Sequence, residues 1–133
     1  MTQSIGHVST GLPGLDRMLR GILPGDNIVW QVGAVEDYVP FVQPFCRWAA
    51  ANHRRLIYFR FAKHPPLIED STLAEICELD PREGFETFLT EIHAAINRGG
   101  RGAFYLFDCL SDLSVDWYSD QMLGCFFMLT CPY

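Results

Sequence analysis

Residues 27–33 read NIVWQVG, an apolar run that ends at Gly33. Short apolar runs that are rich in β-branched and aromatic residues, and bounded by turn residues, favour a buried strand. Two further runs of this kind are LIYFRF at 56–61 and AFYLFD at 103–108. The sequence therefore predicts at least three strands, and 75–79 (EICEL) is a candidate for a fourth, shorter one.

Helical patterns separate these strands. The clearest helix is 84–98, whose apolar residues recur at i, i+3, i+4 and i+7, and Gly99-Gly100 ends it. Because proline fits a first helical turn, Pro44 predicts a helix that begins near residue 43 and leaves 35–42 as a loop. The other predicted helices are 14–20 and 116–129. Strands alternating with helices predict an α/β fold, with a mainly parallel sheet covered by helices on both faces.

The residues after Gly33 do not form a phosphate-binding loop. When the pattern G-x-x-x-x-G-K-[ST] is aligned from Gly33, its second glycine falls on Tyr38, its lysine on Val39 and its hydroxyl on Pro40. That pattern needs bare backbone amides, a cation and a hydroxyl around a polyphosphate. The sequence therefore predicts no bound nucleotide or other cofactor, whether the motif was lost or never present.

The predicted loop 35–42 carries its own bulk and charge. We expect Tyr38 and Phe41 to be largely buried near Gly33, where they would fill the space of the phosphates. Glu36 and Asp37 are either metal ligands or residues that solvate the loop or begin a helical turn. We expect the second, because a carboxylate about 4 Å from a phosphate oxygen costs roughly 4 kcal/mol at an effective dielectric constant near 20.

The order of the motifs resembles that of RecA/KaiC-like ATPase domains. Residues 9–26 (STGLPGLDRMLRGILPGD) are similar to the entry of those domains, in which S-T-G-x-P-x-L-D precedes a short helix and a G-x-x-P-G turn. Residues 103–113 (AFYLFDCLSDL) resemble the Walker B strand, with Asp108 at its aspartate position. Ala62 and Lys63 stand where the family has paired glutamates. The resemblance implies a three-layer RecA/KaiC-like fold that retains only Asp108 of its catalytic positions.

A narrower resemblance covers most of the chain. Segments within 25–38, 58–67 and 107–133 look like the amino-terminal region of bacterial phosphoenolpyruvate synthase-like proteins, where a degenerate KaiC-like region precedes an ATP-binding domain of the pyruvate, phosphate dikinase type. This implies that 1–133 is one inactive domain, truncated at its carboxyl end, with a regulatory or architectural role in a larger phosphotransferase. The alternatives are an unconventional NTP-binding or phosphotransfer domain and a small-anion sensor.

Three basic residues, Arg60, Lys63 and His64, follow the strand predicted at 56–61. Ligands of open α/β sheets bind outside the carboxyl ends of the strands, so these residues are a candidate anion site. The other interpretation, which we expect, is that they pair with the carboxylates of Glu69 and Asp70.

Asp108 is open to two interpretations. It either binds magnesium, as a Walker B aspartate does, or makes hydrogen bonds at the end of its strand. Because the sequence offers neither the lysine nor the hydroxyl that would hold the same ion and phosphate, we expect the second.

Composition excludes several classes of function. The net charge is −6 and the sequence pI is about 5.0, whereas a nucleic-acid-binding surface is basic. No apolar run approaches the roughly 20 residues of a membrane span. The cysteines, at 46, 77, 109, 125 and 131, are odd in number and include no C-x-x-C pair. They predict reduced thiols in a cytoplasmic protein and no metal site.

The predicted helix 116–129 is apolar around most of its circumference, and such a helix needs cover on more than one side. We therefore expect a homodimer, or docking of this helix to downstream domains of the parent protein.

Overall fold

The computed structural model describes residues 8–23, 26–61, 63–70, 72–100 and 102–112. Within them lies a parallel sheet of three strands: β1 (Leu56–Arg60), β2 (Glu75–Glu78) and β3 (Phe104–Asp108). The strand order is β2-β1-β3, with β1 in the centre. The α/β class and the strands predicted near 56–61, 75–79 and 103–108 are confirmed. The helix predicted at 116–129 lies outside the described residues.

In the described part of the chain, three helices accompany the sheet: α1 (Pro13–Met18), α2 (Val39–Ala51) and α3 (Phe85–Gly99). Short 3-10 turns at Val35–Asp37 and Pro81–Glu83 precede α2 and α3. The helices predicted at 14–20 and 84–98 are confirmed. The last ends as expected, because Gly100 adopts a φ of 76°, which glycine tolerates and most residues avoid.

The core lies on both faces of β1, since successive side chains of a strand point to opposite faces. Ile57 and Phe59 pack on the α3 side, and Leu56 and Tyr58 pack on the α2 side. The α3 side is completed by Phe61, Phe88, Ile92, Ala95 and Ile96, and the α2 side by Val42, Cys46, Ile68 and Ala74. The two helices therefore cover opposite faces of the sheet.

The strand predicted at 27–33 is wrong. Residues 26–32 have no regular structure, and none of the three described strands pairs with them. The side chain of Val29 is 75% exposed. Trp30 packs against the rings of Tyr38 and Phe41, with centroid distances of 5.6 and 4.8 Å. An apolar run becomes a strand only where a neighbouring strand pairs with it, and local pattern does not report that pairing.

The predicted start of α2 is also wrong. The helix begins at Val39, with Pro40 in its first turn and Pro44 inside it, so 35–42 is not a loop. The backbone amides of Phe41 and Val42 already donate to the Tyr38 carbonyl at 2.9 and 3.0 Å. Pro44 has no N–H, so the helix loses one hydrogen bond there and continues.

The entry segment, residues 8–12, is fixed to both α1 and α2. The hydroxyl of Ser9 and the amide and hydroxyl of Thr10 all donate to the Asp16 carboxylate. Gly11 has a φ of 86°, and a Cβ at that position would lie 2.3 Å from the Pro44 carbonyl oxygen. The S-T-G-x-P-x-L-D pattern thus has a structural explanation: two hydroxyls hold one carboxylate, and a glycine allows close packing on α2.

Candidate functional site

Two groups of polar side chains lie at the carboxyl ends of the strands. The first, here called the Asp108 network, consists of Tyr58, His64 and Asp108. The second, the Arg60 pocket, is a cavity of about 400 Å³ at the ends of β1 and β2. Open α/β sheets bind ligands along this edge, so both groups are candidate sites.

The Asp108 carboxylate is held by two side chains. Asp108 is only 5% exposed. The Tyr58 hydroxyl donates to Oδ2, and His64 Nε2 lies 2.9 Å from Oδ1. Both carboxylate oxygens therefore have a protein partner, and the expected role of Asp108 in hydrogen bonding at the strand end matches this geometry.

The sequence brings these three residues together from separate elements. Asp108 ends β3 and lies opposite Arg60 in the parallel register. Tyr58 comes from the middle of β1, and its hydroxyl also accepts from the Leu67 amide at 3.2 Å. The Arg60 guanidinium donates to the His64 carbonyl. The loop after β1 is thus tied back to the sheet, which holds His64 beside Asp108.

Tyr38 lies on the same side of the sheet as this network. It is half-buried at the start of α2 and packs against the α2-side core. Burial raises the pKa of Tyr38 above its ordinary value of 10.0, and the charges of Cys46 and Asp108 raise it further. The predicted burial of Phe41 is wrong, since its side chain is 37% exposed. Because α2 begins at Val39, Val42 points inward and Phe41 points outward.

The remaining positions aligned with the phosphate loop are mostly exposed. Gly33 and Pro40 are exposed, and Val39 is half-buried. Glu36 and Asp37 lie in the 3-10 turn before α2, as expected for residues that begin a helical turn. Among the described residues, no group of three or more His, Cys, Asp or Glu side chains has the arrangement of a metal site.

The Arg60 pocket contains paired charges. Arg60 Nη1 lies 3.3 Å from Glu78 Oε1, and Arg82 contacts Asp80 through Nε at 3.0 Å and Nη2 at 3.1 Å. The hydrogen bonds from Arg82 lower the pKa of the Asp80 carboxyl. Arg60 Nε is buried and has no hydrogen-bond partner among the described residues. The lining residues are Arg60, Phe61, Lys63, Glu78, Leu79, Asp80, Pro81 and Arg82.

The predicted basic cluster is divided between the two groups. Arg60 and Lys63 line the pocket, whereas His64 belongs to the Asp108 network. The expected partners were also wrong for two residues: Arg60 pairs with Glu78, and His64 pairs with Asp108. Parallel pairing of β1 with β2 places Glu78 opposite Arg60, and this long-range register is not visible in the local sequence.

Sequence reasoning missed Tyr58 and Arg82. A tyrosine in the centre of an apolar strand is a usable signal, because a buried hydroxyl normally finds a hydrogen-bond partner. Arg82 follows Asp80-Pro81, where the Asp80 side chain accepts from the Arg82 amide and begins the 3-10 turn. That turn was a recognisable signal for the position of Arg82 at the edge of the sheet.

Three of the cysteines are described, and all are free thiols. Burial raises the pKa of Cys46 from 9.0 to about 11, and burial also raises the pKa of Cys77. A thiol with a raised pKa is a poor nucleophile at neutral pH. Positions 125 and 131 lie outside the described residues.

Comparison with protein-family models gave no match, and a search of curated proteins also found none. The RecA/KaiC-like and phosphoenolpyruvate synthase-like relationships therefore rest on the sequence motifs alone. In the described part of the chain, no helix has the length and apolar character needed to cross a bilayer.

Proposed function

We propose that the chain is a catalytically inactive RecA/KaiC-like domain, with a regulatory or architectural role in a phosphoenolpyruvate synthase-like protein. The observation that carries the proposal is the state of Asp108, the residue at the Walker B position. Its carboxylate is buried and bound by Tyr58 and His64. Nucleotide chemistry needs that carboxylate to face a metal ion.

The helix that would follow a phosphate loop supports the same conclusion. α2 begins with Val39 and Pro40, so its first turn presents a branched side chain and a residue without an N–H. Tyr38, immediately before it, is half-buried on the side of Asp108. Pro40 has no amide to offer a polyphosphate, and Tyr38 and Val39 stand where a phosphate loop has glycine and lysine.

The layering of the fold is also in keeping with the proposal. A parallel sheet with α2 and α3 on opposite faces is the arrangement expected of a three-layer domain of this class.

Magnesium binding at Asp108 would be costly. The ion takes oxygen ligands in near-ideal octahedral geometry, so Asp108 would have to give up a hydrogen bond from Tyr58 or His64. An unsatisfied buried donor costs about 1–3 kcal/mol. The sequence supplies neither the lysine nor the hydroxyl that would offset this cost.

Calorimetric titration with MgATP tests the proposal. We expect no binding with a dissociation constant below about 100 μM, which corresponds to roughly −5.5 kcal/mol. Tighter, magnesium-dependent binding that Asp108→Asn abolishes would refute it. The titration is repeated with a Lys63→Gln/Arg82→Gln variant, so that phosphate groups held elsewhere on the sheet edge are not mistaken for nucleotide binding at Asp108.

Exposed apolar side chains support the architectural part of the proposal. Among the described residues, the large ones are concentrated between positions 18 and 41, namely Met18, Leu19, Leu23, Ile28, Val29, Val32 and Phe41. Exposed apolar side chains that are grouped in one segment of the chain are candidates for an interaction site. We propose that it contacts a second copy of the chain, burying roughly 800 Å² per partner.

Light scattering of the unmodified chain and of the Val29→Ser variant, both at about 100 μM, tests this contact. At that concentration a dimer of micromolar affinity is populated. We expect a dimer that the substitution weakens. A monomer, or a dimer that Val29→Ser leaves intact, would exclude this surface as the dimer contact.

A further inference from the structure

We propose that the Arg60 pocket is a binding site for a small metabolite that carries a phosphate group. The site lies beside the Asp108 network, to which Arg60 is joined through the His64 carbonyl, and it does not depend on the function proposed above. Three cationic side chains line one cavity, although they lie 3 and 19 positions apart in the sequence: Arg60, Lys63 and Arg82.

The fold brings these cations together at an edge where ligands bind. Arg60 ends β1, Lys63 follows in the loop after β1, and Arg82 lies in the 3-10 turn after β2. Parallel pairing of β1 and β2 places their carboxyl ends side by side, with Arg60 opposite Glu78. The cavity therefore opens outside the carboxyl ends of two neighbouring strands, the usual ligand position in open α/β sheets.

The charge of the pocket suits a dianion. Its three cations face two carboxylates, Glu78 and Asp80. The contact between Arg60 and Glu78 is a single one at 3.3 Å, and the Glu78 side chain is 69% exposed. The Arg60 side chain is only 17% exposed, so its guanidinium needs a partner, whereas Glu78 can turn to water. An incoming anion can therefore take the place of Glu78 beside Arg60. Without Glu78, the formal charge of the lining residues is +2, which matches a phosphate monoester.

The Arg60 guanidinium is held in place for such a ligand. Its Nη2 donates to the His64 carbonyl, while Nη1 makes the replaceable contact with Glu78. Its buried Nε has no partner among the described residues. An arginine with one edge fixed to the backbone and another paired only with an exposed carboxylate is suited to charge-assisted hydrogen bonds with a phosphate.

Size and lining restrict the ligand further. The cavity of about 400 Å³ lies toward the lower end of the roughly 300–1,000 Å³ range of small-molecule sites. Phe61, Leu79 and Pro81 supply apolar wall beside the cations. These features fit a metabolite with one phosphate and a short carbon skeleton better than a nucleoside triphosphate.

A second cavity at the amino ends of β1 and β2 shows what distinguishes the Arg60 pocket. It has a volume of about 360 Å³ and is also lined by arginines, Arg54 and Arg55. There Glu75 accepts from Arg55 at 2.7 Å and from Arg98 at 3.1 Å, so one carboxylate is held by two cations. The hydrogen bond from Arg55 is the main reason that the pKa of Glu75 is lowered. Because two cations hold the Glu75 carboxylate, an external anion cannot readily replace it in this second cavity.

NMR titration of the full chain with inorganic phosphate, against chloride at constant ionic strength, tests the proposal. We expect saturable amide shifts in 60–63 and 78–83, absent from 72–75, with a dissociation constant of about 1 mM. In Lys63→Gln/Arg82→Gln the affinity should fall at least about tenfold. Both side chains lie at exposed positions, so this variant is expected to fold.

The matched control is Arg17→Gln/Arg47→Gln, which removes two exposed cations from α1 and α2 and changes the net charge equally. Its phosphate affinity should equal that of the unmodified chain. The proposal is overturned if no saturable shift appears up to about 20 mM phosphate, a concentration well above the expected constant. It is overturned equally if Lys63→Gln/Arg82→Gln binds as tightly as the control. Neither result bears on MgATP binding at Asp108, which is measured separately.

Discussion

The two polar groups at the carboxyl edge of the sheet differ in how their charges are satisfied. In the Asp108 network the buried carboxylate accepts hydrogen bonds from the Tyr58 hydroxyl and the His64 imidazole. The loop after β1 carries His64 and donates its Leu67 amide to the Tyr58 hydroxyl, so the same side chains hold the loop. In the Arg60 pocket the carboxylates of Glu78 and Asp80 are more exposed, and one of the cation pairs is a single long contact. The network therefore contributes to folding, and the pocket has charge available for binding.

This difference follows from burial. A buried polar group must find its partners within the protein, because an unmade hydrogen bond there costs its full desolvation penalty. An exposed ion pair exchanges freely with water and contributes little to stability. The same edge of one sheet thus provides a structural element beside β3 and a candidate ligand site beside β2.

The largest expected effect comes from removing the buried carboxylate. Asp108→Ala leaves the Tyr58 hydroxyl and the His64 ring without their shared acceptor and should lower the free energy of unfolding by about 3 kcal/mol. The matched change on the pocket side, Glu78→Ala, should cost about 1 kcal/mol or less, because Glu78 itself is exposed. Urea unfolding of both variants measures the contrast, and equal losses would show that the two sides do not differ.

Tyr58→Phe should have the next largest effect. It removes the hydroxyl that donates to Asp108 and accepts from the Leu67 amide, and should cost about 1–2 kcal/mol. In a double-mutant cycle with Asp108→Ala the two losses should not add, because the hydroxyl has already lost its acceptor. Additive losses would mean that Tyr58 stabilises the fold by packing alone.

A smaller effect should appear at alkaline pH. Burial raises the pKa of Tyr58, and its hydrogen bond to Asp108 raises that pKa further. Burial also raises the pKa of Tyr38. A group whose pKa is raised by folding stabilises the protein fully below its unfolded pKa, and this contribution is lost as the pH rises above that value. Stability should therefore fall as the pH rises past about 10, the unfolded pKa of tyrosine.

Cys46, with a pKa raised to about 11, should begin the same loss near pH 9. Denaturant unfolding between pH 8 and 11 measures both effects. In Tyr58→Phe the fall above about pH 10 should be shallower than in the unmodified chain. An unchanged slope would assign the alkaline loss to other groups.

The smallest expected effect is on the pocket side. Lys63→Gln/Arg82→Gln should change the free energy of unfolding by less than about 0.5 kcal/mol, since both side chains are exposed. Thermal or urea unfolding measures it. A loss above about 2 kcal/mol would give these cations a structural role comparable to that of Tyr58.

Local pattern predicted most of the elements but not all of their partners. The segments β1, β3 and α3 have strong periodicity or long apolar runs, and the structure confirms them. Residues 27–33 have an equally apolar run, yet they lie in an exposed segment whose Trp30 packs on Tyr38 and Phe41. The difference is long-range pairing, which no short window of sequence contains.

The candidate sites likewise have residues that the local sequence predicts and contacts that it does not. Asp108 was identifiable because it ends an apolar strand, and its preference for hydrogen bonding follows from the missing lysine and hydroxyl. Its actual partners lie 50 and 44 positions away, and their proximity depends on the register of β1 with β3. The grouping of Arg82 with Arg60 likewise depends on the register of β1 with β2. Residue types were thus predictable, whereas their assembly required the fold.

The fixed entry segment determines how a pulling force would travel through this domain. Tension applied at Val8 reaches α1 through the hydrogen bonds of Ser9 and Thr10 to Asp16, and reaches α2 where Gly11 packs against Pro44. α2 packs on the face of β1 that carries Tyr58, so the load passes toward the Asp108 side of the sheet. The Arg60 pocket is joined to this path by the hydrogen bond from Arg60 to the His64 carbonyl, so tension at the amino end would reach the pocket through the Asp108 network.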